Sequence, residues 1–413
     1  MPTKEEIFKD IQEIMSNDYA GHIDKINVNY PGLYKITNDT DDHTFEETIQ
    51  DYLLDFQDGH LWFASKNKTL PNRGFSVRRY EDALYVTEAP QENRIVIGDK
   101  IIKIDGEDIL AMALKHHKRL EDKLPERQKW DNVIRRSTSI QVKRGEESFE
   151  FNLSNYVPKP HQGIHTFKLL ENETAFMQIE NFFEEKPIRQ MVNNNREVLG
   201  QIKNLIIDVR VNRGGNDEFY FSLLHYIFDR ELQFPNLFAE DELMYTNYTE
   251  RNCKLWISEL REYMKQELDQ STIESLKEEI SLFETNYGKG FQEVPEDTDF
   301  EIKGSSSPAH IYVLSDSYCG SSGDTFVSNA KKSPKVTVVG RATRGNIDYF
   351  NQVTVDYGDF EFWYGVSKMH SNYSINGKGV EPDIYIPWTP NQLEEDKDLE
   401  YIQELIGKRA SQI

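Results

Sequence analysis

The sequence contains little cysteine and little positive charge. Cys253 and Cys319 are its two cysteines, and they can form at most one disulfide, so a disulfide-stabilised secreted scaffold is excluded. The chain has 48 Lys and Arg residues against 71 Asp and Glu residues, which gives a net charge of −23. Because a negative field repels phosphate backbones and anionic lipid, we expect no nucleic-acid partner.

Long apolar runs are also missing. No stretch approaches the roughly 18 apolar residues that a membrane-spanning helix needs, so we expect no membrane span. The opening segment MPTKEEIFKDIQEIM interrupts every apolar run with charged residues, which disfavours a signal-peptide core. With so few cysteines, this pattern predicts a cytoplasmic protein.

The 413 residues are sufficient for two or three domains, and a content of 38% apolar and 12% aromatic residues is typical of a folded globular protein. Apolar residues at helical spacing, such as Ile7 with Ile11 and Phe45 with Ile49, predict a helical N-terminal cap over residues 1–66.

The hydrophobic period changes to that of strands from Gly74 onward. The segment GDKIIKIDG at 98–106 resembles the PDZ signature, in which a Gly-Asp turn leads into a strand and a second turn ends it. We therefore expect a PDZ-like β module over residues 70–155.

Short apolar strands alternate with helical segments over residues 160–413, and this alternation predicts an α/β core. The strand candidates are LIIDV at 205–209, IYVL at 311–314, VTVV at 336–339 and YIP ending at 387. A charged, helical insertion is expected at about 236–296. The predicted fold class is thus α/β within an α+β multidomain chain.

Three segments carry residues suited to catalysis. DVRVNRGGN at 208–216 is a strand that leads into a glycine pair, where main-chain N–H groups can face an anion. SDSYCGSSGDTF at 315–326 places serines between a strand and a helix. QDGHLWF at 57–63 adds a histidine. Taken singly, these could be a tight turn, a helix cap and a solvated histidine.

In their order, and with GRATRGN and GKGVEPDIYIP after them, these segments resemble the serine peptidase family that includes the C-terminal processing peptidases and the tricorn protease core. The family pattern D-L-R-x-N-x-G-G is matched at Asp208, Arg210, Asn212, Gly214 and Gly215. Its S-x-x-E segment is matched from Ser321 to Asp324, with Asp in place of Glu. The resemblance implies a crotonase-like α/β catalytic core and places the nucleophile at Ser321, with Ser322 as the rival register.

One departure from the family determines the expected mechanism. Processing peptidases use a Ser-Lys dyad, but Asn346 stands where the Lys would be. The tricorn-like branch uses Ser, His and Glu, which implies Ser321 as the nucleophile, His60 as the base and Glu381 as the residue that orients the base. His370 and Lys378 are rival bases. Cys319 is expected to be a buried structural thiol.

The resemblance implies a serine endopeptidase that forms an acyl-enzyme, with the oxyanion held by N–H groups of Gly214 or Gly215 and of Ser322. We expect peptide or unfolded-protein substrates, no metal and no cofactor, and the sequence leaves the oligomeric state open. The alternative is a catalytically inactive protein on the same fold that binds peptides or small molecules.

Overall fold

The structure is a computed structural model that describes residues 2–67, 71–159, 163–268, 270–294, 300–370 and 374–411. The domain boundaries predicted at 70, 160 and 296 lie outside these residues. The chain divides into two compact units. The first unit consists of Met1–Thr69, Phe238–Asp297 and Asn346–Ser374, and the second consists of Leu70–Leu237, Thr298–Gly345 and Ile375–Ile413.

The α-helices of the described residues are α1 Lys4–Asn17, α2 Asp42–Leu53, α3 Ile109–Lys115, α4 Asp131–Ile134, α5 Glu185–Asn194, α6 Arg196–Leu199, α7 Phe221–Ile227, α8 Glu250–Tyr263, α9 Gln270–Thr285, α10 Ser322–Lys331 and α11 Lys397–Ala410.

The strands are β1 Trp62–Ser65, β2 Ser76–Tyr80, β3 Ala83–Glu88, β4 Lys100–Ile104, β5 Glu107–Asp108, β6 Ser139–Arg144, β7 Glu147–Asn152, β8 His165–Leu170, β9 Thr174–Ile179, β10 Asn204–Asp208, β11 Leu232–Gln233, β12 Leu243–Tyr248, β13 Gly290–Val294, β14 Glu301–Ile302, β15 His310–Ser315, β16 Val336–Gly340, β17 Tyr349–Asp356, β18 Phe360–His370 and β19 Ile384–Tyr385.

A largely parallel sheet forms the centre of the second unit. Its strand order is β19-β16-β15-β10-β9-β8, and only β8 runs antiparallel to its neighbour. Every residue of β10 is buried, as is typical of a parallel strand covered on both faces. On one face, Ile402 and Ile406 of α11 pack against Ile206 and Tyr312. The predicted α/β core is therefore confirmed.

Strands β10 and β15 are parallel neighbours, so their carboxyl ends lie at the same edge of this sheet. The glycine pair of 208–216 follows β10, and the serines of 315–326 follow β15. Ligand sites of α/β sheets form at such edges. The topology thus brings two of the three candidate segments together.

The second unit also contains an antiparallel sheet of order β2-β3-β4-β6-β7, in which β5 pairs with β4. The GDKIIKIDG segment supplies β4 and the turns on both sides of it. Gly98 and Gly106 have φ values of 90° and 79°, which glycine adopts without strain. Asp99 is buried, and its carboxylate accepts two hydrogen bonds from the Arg144 guanidinium, which joins the start of β4 to the end of β6. This aspartate therefore has a structural role.

The first unit is built on the antiparallel sheet β1-β18-β12-β13, with β17 paired to β18. Its core contains buried residues of α1 and α2, such as Ile11 and Phe45, together with Phe63 of β1 and Phe362 of β18. The helices expected in residues 1–66 are present as α1 and α2, and they pack against this sheet within one unit. The prediction of a separate cap did not include strand β1.

The insertion also contains more than helices. Helices α8 and α9 lie within it as expected, but β12 and β13 flank them and pair with each other. Strand β12 also pairs with β18, which is far away in sequence. Because strand formation depends on such cross-strand partners, helical periodicity in the intervening segment did not indicate these strands. The predicted mixed α/β multidomain fold is confirmed, since both units combine helices with sheets.

No helix in the described part of the chain is both long enough and apolar enough to span a bilayer.

Candidate active site

Ser321 lies in a strained turn between β15 and α10. It is the residue that precedes the helix, and its φ and ψ angles are 58° and −127°. A residue with a Cβ atom rarely adopts a positive φ, and such a conformation costs about 1–3 kcal/mol. Strain of this kind persists only where surrounding contacts impose it, and it is concentrated at functional sites.

Hydrogen bonds from three directions hold the turn. The Gly320 N–H donates to the Asn212 carbonyl at 3.0 Å, and the Arg344 N–H donates to the Cys319 carbonyl at 2.7 Å. The Ser321 N–H donates to Oδ2 of Asp324 at 2.9 Å. The turn is thus fixed from the β10 side, from the segment after β16 and from its own helix.

Asp324 occupies the position where the family pattern has Glu, and it is fully buried. Besides the Ser321 amide, its carboxylate accepts the N–H of Gly345 at 2.8 Å. A hydrogen-bonded carboxylate in the first turn of a helix is also favoured by the helix dipole. The shorter acid therefore holds the main chain of Ser321 and the main chain of Gly345 together.

The glycine pair after β10 packs directly against this turn. Gly214 has a φ of +80°, and a Cβ atom added there would lie 2.6 Å from the Cβ of Ser321. Gly215 has a φ of +140°, and its added Cβ would lie 2.0 Å from the carbonyl oxygen of Phe182. Both positions therefore require glycine, because of the backbone conformation and because of the close approach.

We predict that Gly214→Ala disturbs the Ser321 turn far more than the matched variant Gly106→Ala. Gly106 has almost the same φ, +79°, but an added Cβ would meet no atom within 4 Å. Gly106→Ala should cost about 1–2 kcal/mol in unfolding free energy from the left-handed backbone alone. Gly214→Ala should lose more unfolding free energy than Gly106→Ala. Its Ser321 should also react with a fluorophosphonate more slowly than in the wild type. The packing argument would be contradicted if chemical denaturation gave equal losses of unfolding free energy for the two variants and if labelling of Ser321 were unchanged.

The hydrogen bonds of the main-chain amides near Ser321 reduce the number of candidates for the predicted oxyanion site. The Gly214 N–H donates to Oδ1 of Asn212 at 2.9 Å. Among the described residues, the N–H groups of Gly215 and Ser322 have no hydrogen-bond partner. The Ser322 hydroxyl donates to the Gly215 carbonyl at 2.6 Å and so links the two segments that carry these amides. Of the three amides predicted for the oxyanion site, these two are therefore available to accept an anion as a partner.

Cys319 is fully buried in the same turn. Burial raises the pKa of its thiol well above the usual value, and the negative charges of Asp324 and Asp316 raise it further. Since the thiolate is the nucleophilic form of cysteine, this environment opposes a cysteine mechanism.

Asp208 and Arg210 of the 208–216 segment have structural partners. The Arg210 guanidinium contacts the carboxylates of Asp208 and Asp396, both at 2.7 Å. A second buried cluster holds the loop before Ser321: Asp316 accepts hydrogen bonds from Arg78 and Arg341. Burial alone would raise the pKa of Asp316, but the two guanidinium groups hold it well below its usual range.

His60 lies in the first unit, immediately after an Asp-Gly turn. Its main-chain N–H donates to Oδ1 of Asp58 at 2.9 Å, and its main-chain carbonyl accepts from Nε2 of Gln352 at 2.7 Å. The imidazole Nδ1 lies 2.6 Å from the carbonyl oxygen of Tyr349. Because a carbonyl oxygen can only accept, Nδ1 carries the proton. The neutral ring then has its lone pair on Nε2, as a general base requires.

The other predicted residues are Asn346, His370, Lys378 and Glu381. Asn346, at the position of the missing lysine, is near Gly59 in the first unit. His370 is exposed at the end of β18, and Lys378 is exposed in the second unit. Glu381 is exposed as well, and its carbonyl accepts a hydrogen bond from Nζ of Lys331, the last residue of α10, at 2.5 Å.

Sequence reasoning did not identify the residues that support these groups. The motifs that contain Asn212 and Asp324 do not by themselves indicate a role for these side chains, although each lies within two residues of a glycine, where a short polar side chain can hydrogen-bond to the main chain. The same holds for Asp58 in QDGH. The sequence could not indicate the contact of the Tyr349 carbonyl, because every residue has a main-chain carbonyl.

Residues 173–386, just over half of the chain, match the model of peptidase family S41. This range includes Gly214, Gly215, Ser321 and Glu381, whereas His60 lies outside it. No curated protein matches the sequence.

Several solved structures share the fold. Mature CPAF is 12% identical, with 98% of this chain and 96% of that chain covered and a TM-score of 0.68. Mature CPAF complexed with lactacystin is 14% identical, with 98% and 97% covered and a TM-score of 0.66. A putative peptidase from Parabacteroides merdae ATCC 43184 is 13% identical, with 98% and 97% covered and a TM-score of 0.51.

Proposed function

Since this chain belongs to peptidase family S41 and is a serine-type peptidase that acts on peptides or proteins, we propose that Ser321 is its nucleophile and His60 its general base. The observation that carries this assignment is the strained turn of Ser321 at the start of α10, beside two main-chain amides without partners among the described residues. Family membership supports the type of reaction, and the strained backbone of Ser321 favours this serine as the nucleophile.

In the proposed first step, the Ser321 hydroxyl attacks the carbonyl carbon of the scissile bond while Nε2 of His60 takes its proton. The carbonyl oxygen becomes an oxyanion, which we assign to the N–H groups of Gly215 and Ser322 because the Gly214 amide is bonded to Asn212. The protonated imidazole then gives the proton to the leaving amine. An acyl-enzyme ester on Ser321 remains.

In the second step, a water molecule attacks this ester and His60 again accepts the proton. Collapse of the second tetrahedral intermediate releases the carboxylic acid and returns the proton to Ser321. We propose cleavage within chains, as an endopeptidase. The resemblance adds Glu381 as the acid that orients His60, and this third assignment stays a prediction, as does a cytoplasmic location.

The test is labelling with a fluorophosphonate, followed by mass-spectrometric mapping of the modified residue. We expect a single adduct on Ser321 that depends on the folded protein, because only an activated serine reacts at a useful rate. An adduct on Ser322 would shift the assignment by one residue. Reproducible failure to label the folded enzyme would contradict the proposed nucleophile.

We also propose that the PDZ-like segment 70–155 delivers substrate. The guanidinium of Arg127 donates to the carbonyls of residues 342–344 at 2.9, 2.8 and 3.0 Å. The next residue is Gly345, whose amide is held by the same Asp324 that supports Ser321. Within the second unit, the PDZ-like segment therefore contacts residues 342–344, which lie next to the groups that hold the Ser321 turn.

PDZ domains capture peptide C-termini by adding a strand to a sheet edge. We therefore expect amidation of a substrate's C-terminal carboxylate to raise KM several-fold, with a smaller effect on kcat, in steady-state assays of paired peptides. An internal control is a pair in which only the N-terminus is acetylated, which should not alter KM. Equal KM values for free and amidated peptides would indicate that the segment has a structural role only.

A further inference from the structure

The imidazole of His60 has two oxygen neighbours within its own unit. The Tyr349 carbonyl is one, at 2.6 Å from Nδ1. The other is Oδ1 of Asp58, which lies 3.8 Å from Nδ1 and accepts the main-chain N–H of His60 at 2.9 Å. The neutral Tyr349 carbonyl therefore fixes the tautomer of the ring. The Asp58 carboxylate lies next to the same nitrogen, beyond hydrogen-bonding distance.

Asp58 is a deeply buried acid, with 2% of its side chain exposed. Its second oxygen, Oδ2, accepts a hydrogen bond from the Tyr19 hydroxyl at 2.9 Å. Burial raises the pKa of Asp58, while a positive charge on His60 lowers it. A carboxylate 3.8 Å from the ring nitrogen stabilises a positive charge that forms on the imidazole during the reaction.

We propose that Asp58 is a positioning residue for the general base: its buried carboxylate stabilises the imidazolium of His60, while the Tyr349 carbonyl holds the ring in its tautomer. The inference rests on the proposed role of His60. Stabilising the base is the function that the resemblance gives to Glu381, and the proposal assigns it to Asp58. Asp58 and His60 lie in the same unit.

The remaining charged groups of this region do not replace Asp58. Asp24 is paired with Nζ of Lys368 at 2.9 Å and lies 3.4 Å from the Tyr349 hydroxyl, at the far end of that side chain from the carbonyl. Lys25 lies 5.9 Å from the centre of the Tyr349 ring. The Tyr19 hydroxyl faces Asp58 and is uncharged, because burial raises its pKa well above the usual value. Among the described residues of this unit, Asp58 is the acid that forms an ion pair with the imidazole, with Oδ1 at 3.8 Å from Nδ1.

The test is Asp58→Asn, which keeps an oxygen that can accept the His60 main-chain N–H but removes the charge. Without the anion, the imidazolium that forms during the reaction is less stable. We expect kcat to fall by about 10- to 100-fold, less than when a catalytic histidine loses its tautomer, since the Tyr349 carbonyl still holds the ring. The acidic limb of the kcat/KM profile should move to lower pH by about one unit.

Two matched variants accompany it. Asp356→Asn removes an exposed acid of the same unit that is paired with Lys66, and it should leave both kcat and the pH profile unchanged. Glu381→Gln tests the competing assignment, and we expect a smaller effect on the acidic limb than from Asp58→Asn. A larger shift of the acidic limb in Glu381→Gln than in Asp58→Asn would overturn the proposal in favour of Glu381.

A measurement on the wild-type enzyme does not depend on whether the variant folds. With ¹⁵N-labelled histidine, and with His60→Ala to identify the signals, the ring at a pH above the acidic limb should show protonated Nδ1 and unprotonated Nε2. The opposite tautomer would overturn the proposal.

The outcomes also separate this inference from the proposed function. Near-normal activity of His60→Ala would refute the base itself. An inactive His60→Ala together with a wild-type pH profile for Asp58→Asn would leave the base in place and refute only the role of Asp58.

Discussion

Ser321→Ala is expected to abolish peptide cleavage while leaving the unfolding temperature within about two degrees of wild type. Loss of an activated nucleophile lowers kcat by roughly 10⁴-fold or more. Stability should barely change, since the substitution removes one hydroxyl and alanine must adopt the same positive φ as serine. The measurements are kcat/KM on an unfolded protein substrate and thermal unfolding followed by circular dichroism.

Ser322→Ala is the matched control in the adjacent register. Its hydroxyl donates to the Gly215 carbonyl, so its loss should loosen one side of the oxyanion site and slow turnover by a smaller factor. Ser321 should still be labelled by a fluorophosphonate in this variant. If Ser322→Ala were inactive and unlabelled while Ser321→Ala retained activity, the register of the motif would be off by one residue.

His60→Ala is expected to lower kcat by roughly 10²-fold or more, because a serine hydroxyl is a weak nucleophile unless a base accepts its proton. In the wild-type enzyme, kcat/KM should rise with pH through an acidic limb, because only the unprotonated imidazole can accept the serine proton. A lysine base would place that limb higher. The limb should be absent from the residual activity of the variant.

His370→Ala is the matched control, because it removes an exposed histidine of the same unit, at the end of β18. It should retain both kcat and the acidic limb. The losses of Ser321→Ala and His60→Ala should not add in the double variant, since both residues serve one proton transfer. Near-normal turnover of His60→Ala, or a loss of the limb in His370→Ala, would identify a different base.

Much of the core and of the nucleophile segment could be predicted because their determinants are local. The buried apolar run of β10 and the glycines of its turn specify a strand that ends in a tight bend. The absence of a lysine at Asn346 could also be read directly from the sequence. The helices of the first unit followed from apolar spacing alone.

Other elements depended on partners that are distant in sequence. Strand β12 exists through its pairing with β13 and β18, and β1 through its pairing with β18. These pairings combine the N-terminal helices, the insertion and residues 346–374 into one compact unit. Hydrophobic periodicity within a segment carries no information about which other segment will complete its sheet.

The sequence by itself determined which groups are available for the proposed chemistry: a serine before a helix, a glycine pair that a Cβ atom would disrupt, and a histidine after an Asp-Gly turn. Only the tertiary structure decided how these groups are held. The Asn212 carbonyl meets the Gly320 amide, and the Tyr349 carbonyl meets the His60 ring across 289 positions of sequence. Main-chain carbonyls and amides occur at almost every residue, so their pairing is set by where the folded chain brings them and not by side-chain type.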